Sequence, residues 1–406
     1  MQKDLKIFTD SIEQEAIEQI NLLLDQETFK DSKIRIMPDV HAGKGCVIGF
    51  TGNLGNKVIP NIVGVDIGCG MLCIELGNIE LDLEKLDNII REYVPSGFNV
   101  HDITMEDFDL TSLKCYKELK NIDHLRKSLG TLGGGNHFIE IDIDEDNNKY
   151  LIIHTGSRNL GKQVAEIYQN KAIKYCSYEK ELQEEIDMTI KYHKENNLEK
   201  GISAAINKIK EKYIDKTKLP RDLCYLENSL KEDYLHDMKK CQEFAWENRM
   251  VIGEEIMFNY FGRGYTEISF IQGVWTNFQT IHNYISFEDN IVRKGAISAQ
   301  KGEKVLIPMN MRDGCIIGIG KGNNDWNQSA PHGAGRIMSR IQAKKTFKLE
   351  EFQESMKNIY TTSVSKETLD EAPFVYKPMQ EIIDNIGDTV DILKIIKPIY
   401  NFKASE

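Results

Sequence analysis

The stretch Val63-Gly64-Val65-Asp66-Ile67-Gly68-Cys69-Gly70-Met71 constrains this chain more than any other. Three glycines within nine residues mark backbone that a Cβ would obstruct, and they bracket a carboxylate and a thiol three positions apart. A thiolate beside a carboxylate suits a borderline divalent ion such as Zn2+ or Mn2+. One sulfur can bridge two such ions if nitrogen ligands converge on it. A tight turn around a buried structural cysteine fits the stretch equally well.

The histidines shift the balance toward a metal. Of nine in the chain, His101, His124, His193 and His236 lie in charged or helical surroundings and read as ordinary side chains. The other five differ. His41 lies in Pro38-Asp39-Val40-His41-Ala42-Gly43, His137 in Gly133-Gly134-Gly135-Asn136-His137-Phe138-Ile139-Glu140, and His154 in Ile152-Ile153-His154-Thr155-Gly156. His282 lies in Ile281-His282-Asn283-Tyr284, and His332 in Ala330-Pro331-His332-Gly333-Ala334-Gly335-Arg336. Each sits where an apolar, strand-like run meets a turn residue, which is where active-site side chains are commonly mounted.

A chain of 406 residues, 41% hydrophobic and 28% charged, can bury a sizeable core as one large domain or two intimate ones. No apolar run reaches membrane-spanning length, and Met1-Gln2-Lys3-Asp4-Leu5-Lys6 does not read as a signal peptide, so a cytoplasmic protein is expected. The eight cysteines include no Cys-x-x-Cys pair and are expected to be reduced. A net charge of −12 argues against coating a nucleic acid with the whole surface and requires a local patch for any polyanion. From Pro331 to Leu349 there are five basic residues and no acidic one. Arg336, Arg340 and Lys344 share the spacing of one helix face. A helix starting just after Gly335 would aim its N-terminal amides at an anion near His332.

In chain order, periodicity predicts a helix over Ser11 to Leu24. Strands are predicted at Ile34–Met37, Gly45–Phe50, Val63–Val65 and Met71–Ile74. Residues 80 to 128 read as mixed and helical at either end, and strands resume at Phe138–Ile141 and Tyr150–Ile153. Lys162 to about Phe261, rich in Glu, Lys, Leu and Ile with Pro220 alone among prolines, reads as several helices and as an insertion. Strands return at Ile291-Val292, Lys304–Ile307 and Cys315–Ile319, with no internal repeat or low-complexity linker.

Five motifs in order carry a resemblance: Met37-Pro38-Asp39-Val40-His41, Val63 to Met71, Gly135-Asn136-His137-Phe138, Arg293-Lys294-Gly295-Ala296 and His332-Gly333-Ala334-Gly335-Arg336. Together they resemble the RtcB family of GTP-dependent RNA ligases, from about residue 34 to the C-terminus. The resemblance implies an α+β fold: a single large RtcB-like domain, 1–406, with central β-sheets around a binuclear metal site and a helical insertion over 162–261. It implies two Mn2+ ions on Asp66, Cys69, His137, His154 and His282, with Cys69 bridging, and GTP as the second cofactor. His332 matches the histidine that accepts GMP. Asn136, Glu140, Asn310, Ala334, Gly335, Tyr376 and Lys403 match nucleotide contacts. His41, Arg158, Asn248, Arg249, Arg293, Lys294 and Arg336 match residues expected near phosphates or RNA ends. The implied partners are RNA with 3′-phosphate or 2′,3′-cyclic phosphate and 5′-hydroxyl ends, in RNA repair or tRNA splicing, and an archease-like activator; a monomer is expected.

A neutral imidazole suits this chemistry, because the phosphoramidate it forms with GMP is activated for a second transfer. Where many family members carry Pro-Gly-Ser-Met-Gly, this chain has Pro308-Met309-Asn310-Met311-Arg312. Asn310 and Arg312 would offer new hydrogen bonds there, so weaker discrimination against ATP is expected. The segment before the nucleophile lacks the cysteines of some relatives, and the chain runs slightly past the family's final Lys-Gly. Two alternatives stay open: a two-metal phosphodiesterase or cyclic phosphatase that transfers no GMP, and a non-catalytic protein that binds RNA ends.

Overall fold

The computed structural model describes residues 4–196, 198–213, 216–262 and 276–404. Residues 1–3 of the polar N-terminus, 197 and 214–215 of the helical stretch, and 405–406 lie outside them. The described strands, in chain order, begin with β1 (Leu5–Ile7), β2 (Ile34–His41), β3 (Ile48–Asn53), β4 (Gly70–Gly77), β5 (Phe138–Ile143), β6 (Lys149–Thr155) and β7 (Asn277–Ile281). They continue with β8 (Asn283–Ile285), β9 (Ile291–Lys294), β10 (Ala296–Ser298), β11 (Lys304–Asn310), β12 (Gly314–Gly320), β13 (Ser329–Pro331) and β14 (Val390–Lys403).

The largest sheet is antiparallel, in the order β11-β12-β14-β5-β6-β4-β7. Both its faces are covered, which explains why Leu151-Ile152-Ile153 reads as an unbroken apolar run. Alternation assigns the faces. Ile139, Ile141, Leu151 and Ile153 pack outward in a core cluster that includes Ile90 and Ile256 from two covering helices. Cys73, Ile152, Leu306 and Cys315 pack inward in one cluster. Strands at opposite ends of the order share that cluster, so the sheet curls into a barrel-like shape. A second sheet, β1-β2-β3-β9-β8, rests on a separate core with the helices Gln14–Leu24 and Arg158–Tyr175. β10 and β13 pair as a separate antiparallel two-stranded ribbon.

Helices fill most of the stretch after residue 157: Arg158–Tyr175, Glu179–Glu195, Ile202–Tyr213 and Asn228–Phe261. The last turns a stripe of Met238, Cys241, Ala245, Ile252 and Ile256 inward at helical spacing and ends at Gly262 with φ 72°, a left-handed cap. Among the described residues, no helix is long and apolar enough to cross a membrane. All eight cysteines are free and buried.

Two local expectations need correcting. Val63-Gly64-Val65 is not a strand: Pro60–Val63 is a short helix with proline in its first turn, and Gly64 at φ 96° ends it. A four-residue apolar run does not distinguish the two conformations. The basic helix spans Arg340–Thr346, capped by Ser339, and does not begin at Gly335. Gly335 has φ 77° and lies so close to the Asp39 backbone that an added Cβ would approach Asp39 O to 2.3 Å. The chain passes there as a tight turn, and the helix starts five residues beyond it.

Candidate active site

Strand ends from the large sheet and the smaller sheet meet at one cavity of about 640 Å³. Cys69 precedes β4, His137 precedes β5, His154 is the penultimate residue of β6, and His282 joins β7 to β8. The His282 amide donates to the Cys69 carbonyl at 2.9 Å, which locks these two ligands side by side. Two glycines make the approach possible. Gly68 turns with φ 70°, and a Cβ on Gly156 would meet Asp66 Oδ1 at 2.1 Å.

Cys69 Sγ lies 3.3 Å from His154 Nε2 and 3.6 Å from His137 Nε2. His154 Nε2 lies 3.4 Å from His282 Nε2, and His137 Nε2 lies 2.9 Å from Asp66 Oδ2. The five side chains form two groups, Cys69-His154-His282 and Asp66-Cys69-His137, sharing the sulfur. Ligands that each sit about 2.0–2.3 Å from one ion are separated by roughly these distances. The outer contacts fit as well. His137 Nδ1 and His154 Nδ1 face the carbonyls of Leu132 at 2.9 Å and Asn136 at 3.1 Å, which leaves each Nε2 lone pair for an ion.

The electrostatics point the same way. Burial lowers His154 and His282 well below the ordinary imidazole value, so both are neutral and ready to ligate. Burial acts to raise the Asp66 carboxyl, yet the hydrogen bond and charge of His137 hold it down to about 2. Burial, then Asp66, pushes the Cys69 thiol well above its usual value. The thiol is therefore a proton holder until a cation competes. Uptake of a divalent ion is expected to release close to one proton from this thiol, and the apparent affinity to rise roughly tenfold per pH unit near neutrality. Calorimetry in two buffers of different ionisation enthalpy measures this; zero proton release would show that sulfur is not a ligand.

Beside the cluster, His332 follows β13, its ring centroid 4.8 Å from that of His282. His332 Nδ1 lies 2.6 Å from Asp39 Oδ2, which also accepts from the His332 amide at 3.1 Å. Asp39 is fully buried, at an irregularity in the β2–β3 register that re-aims its side chain. Sequence reading singled out His41 in this motif and passed over Asp39. The signal was present, a carboxylate between proline and an apolar strand, but nothing in the sequence placed it against His332. His41 lines the cavity, turns Nδ1 to the Asp39 carbonyl at 2.9 Å, and is kept neutral by burial.

The predicted nucleotide contacts Asn136, Glu140, Asn310, Ala334, Gly335, Tyr376 and Lys403 all line the cavity. Glu140 and Lys403 project from adjacent strands on the inner face, at the registers Asn401↔Glu140 and Lys403↔Phe138. Asn401 Nδ2 donates to Glu140 Oε1 at 2.6 Å. Burial and then Asp142 raise the Glu140 carboxyl, while Asn401 and Lys403 oppose the rise. The side chain of Asn310 is engaged within its own turn: it donates to Asp313 at 2.8 Å and accepts from the amides of Arg312 and Asp313. Arg312 forks onto Asp313.

Five residues expected near RNA do not line the cavity. Asn248 is fully buried and bonds the backbone at Gly130, Thr131 and Gly156. Arg249 clamps the metal loop from behind, donating to the Gly68 and Thr155 carbonyls at 2.9 and 2.8 Å. Arg293 is buried and donates to Ser329, Asp289 and nearby carbonyls. Lys294 bonds the carbonyls of Lys44 and Asn61. Their donors are spent on scaffold. Arg158 Nη1 lies 3.2 Å from His137 Nδ1, behind the ligand, and of this set only His41 and Arg336 line the cavity.

Fold and site together define a class: a mixed helix-and-sheet protein whose strand ends converge on a cysteine-centred cluster fit for two divalent ions. The family model described as tRNA-splicing ligase RtcB matches residues 26–120 and 113–404, and the chain belongs to the RtcB family. It is 28% identical to the RNA-splicing ligase RtcB of Escherichia coli (strain K12), covering 91% of this chain and 90% of that protein. It is 26% identical to the tRNA-splicing ligase RtcB of Nanoarchaeum equitans (strain Kin4-M), over 89% of this chain and 85% of the relative. It is also 26% identical to the tRNA-splicing ligase RtcB of Archaeoglobus fulgidus, over 92% and 87%.

Proposed function

We propose that this chain is an RNA ligase that joins an RNA 3′-phosphate or 2′,3′-cyclic phosphate end to a 5′-hydroxyl end through GMP carried on His332. The whole of 1–406 serves as one ligase domain with a helical insertion over 162–261. The relatives' names support RNA ligation. The observation that carries the histidine-GMP reading is the Asp39–His332 contact in the same cavity as the cysteine-centred cluster.

Asp39 accepts from Nδ1–H, so the lone pair of His332 sits on Nε2. That nitrogen attacks the α-phosphorus of GTP: a P–N bond forms, the bond to the bridging oxygen breaks, and pyrophosphate leaves. An RNA 3′-phosphate oxygen then attacks the same phosphorus, the P–N bond breaks, and the RNA carries a 3′-ppG end. The 5′-hydroxyl oxygen attacks the RNA 3′-phosphorus, GMP leaves, and the hydroxyl proton passes to solvent. Asp66, Cys69, His137, His154 and His282 would hold two Mn2+ ions, which when bound supply charge neutralisation for the transferring phosphoryl group. Glu140, as acceptor, and Lys403, as donor, present a pair complementary to the guanine edge.

Incubation with Mn2+ and α-labelled GTP is expected to give an acid-labile adduct on His332. Metal binding without an adduct would favour the phosphodiesterase reading. Asp39→Asn keeps the shape but offers Nδ1 a weaker or inverted partner, and is expected to slow adduct formation on the order of 10²-fold or more with metal content unchanged. A rate within a few-fold of wild type would remove Asp39 from the mechanism.

The self-contained turn at Asn310 revises the expected nucleotide choice. Asp313 holds the Asn310 amide and the Arg312 fork, so the two side chains that could have read the base are engaged within the turn. Asn310→Ser with Arg312→Gly is expected to leave the GTP-to-ATP ratio of adduct formation within about twofold, since no hydrogen bond to the base is lost. A larger change would return base reading to this loop.

A further inference from the structure

Glu371 lies in the turn Leu369–Glu371, which sequence reading did not single out, and it is 2% exposed although it lines the cavity. Its Oε2 accepts from the Lys403 ammonium at 2.7 Å and the Tyr376 hydroxyl at 2.6 Å. Its Oε1 accepts from Arg336 Nη1 at 3.2 Å, with Arg340 Nη2 at 3.5 Å. All four of these partners line the same cavity. We propose that Glu371 is the positioning residue of the base-reading wall, fixing the Lys403 ammonium so that it discriminates what a purine carries at its 6-position. This rests on the GTP reading above and assigns its specificity to a residue that does not itself face the base.

The argument is one of charge and donor count. Lysine has three N–H donors. One goes to Glu371, one faces the Asn136 carbonyl at 3.5 Å, and the third is left for the cavity. On the neighbouring strand Glu140 gives one oxygen to Asn401 and keeps the other. A fixed donor beside a fixed acceptor matches a carbonyl next to an N–H, the edge that guanine presents and adenine reverses. Without Glu371, Lys403 and Arg336 would be two like charges around one buried point, Arg340 keeping its pairing with Asp370, and the ammonium would lose its anchor. Burial works to raise the Glu371 carboxyl, but Lys403, Arg340 and Arg336 hold it below the ordinary value, so it stays an anion. Among the described residues, none of its hydrogen bonds or ion pairs is to Asp66, Cys69, His137, His154, His282 or His332.

The test uses the full-length, Mn2+-loaded protein with GTP and with the triphosphate of 2,6-diaminopurine riboside, which keeps the 2-amino group and carries an amine at position 6. Wild type is expected to favour GTP. Glu371→Gln is expected to lower that preference roughly tenfold or more, mainly through the KM for GTP, with metal content unchanged. Lys403→Met should do the same, and the double variant should be no worse than the poorer single one, because both changes remove one donor. If Glu371→Gln fails to fold, Glu371→Asp is expected to shift the preference partway in the same direction. A variant that forms adduct with wild-type preference, or a double variant whose losses add, overturns the positioning role alone. A wild type that forms no adduct with either nucleotide overturns the ligase reading and this role with it.

Discussion

His332→Ala is expected to abolish the GMP adduct, lowering formation by at least the several orders of magnitude that separate an enzyme-bound nucleophile from none. Metal content should stay close to wild type. His332 belongs to neither candidate group, although its ring centroid lies 4.8 Å from that of His282, and the five cluster residues form both groups without it. Loss of the imidazole frees one oxygen of Asp39, but that oxygen still accepts from the backbone amides of His332 and Gly333, so the turn keeps its shape. The variant should still seal RNA supplied with a 3′-ppG end, because the step that uses Nε2 has been bypassed. Failure to seal that substrate, in a folded and metal-loaded variant, would show that His332 does more than accept GMP.

The residues that converge on the cluster could be singled out in the sequence because each stands near an apolar run, beside glycine or another turn residue. Alternation within Phe138–Ile143 and Lys149–Thr155 even fixes which neighbours share their face. The sharing of Cys69 was expected only from the family resemblance, and which residues fall in which group comes from the fold, since nothing local brings His282 beside Cys69. Burial of polar groups was not legible at all. Arg249, Arg293 and Lys294 resemble phosphate ligands by type and by motif, yet their donors are taken up by backbone carbonyls and side chains that only the fold assembles. Asp39 and Glu371 show the converse: two unremarked carboxylates whose worth lies in the histidine and the lysine they hold. The misplaced helix start has the same origin, because the constraint on Gly335 comes from the Asp39 backbone, almost three hundred residues away in sequence.

Cys69→Ala is expected to cost both ions at once. Its sulfur is the one atom common to the two groups, so each would keep two ligands, His154 with His282 and Asp66 with His137. Altering a residue that merely orients a ligand typically costs 10 to 100-fold in metal affinity, so removing a shared ligand should cost on the order of 10²-fold or more at each position. Collapse of the loop would not be the cause. Arg249 pins the Gly68 and Thr155 carbonyls, Ser157 donates to the Ile67 carbonyl, and the Cys69 carbonyl still receives the His282 amide. The alanine variant should therefore unfold cooperatively while metal analysis of the purified protein finds little manganese and no adduct forms. Cys69→Ser sharpens the argument: a hydroxyl keeps the position but has neither the charge nor the softness of a thiolate, so it should restore little of the affinity. Two ions retained in Cys69→Ala, with normal sealing, would mean that the sulfur is packing and that the cluster does not work as a sulfur-bridged pair.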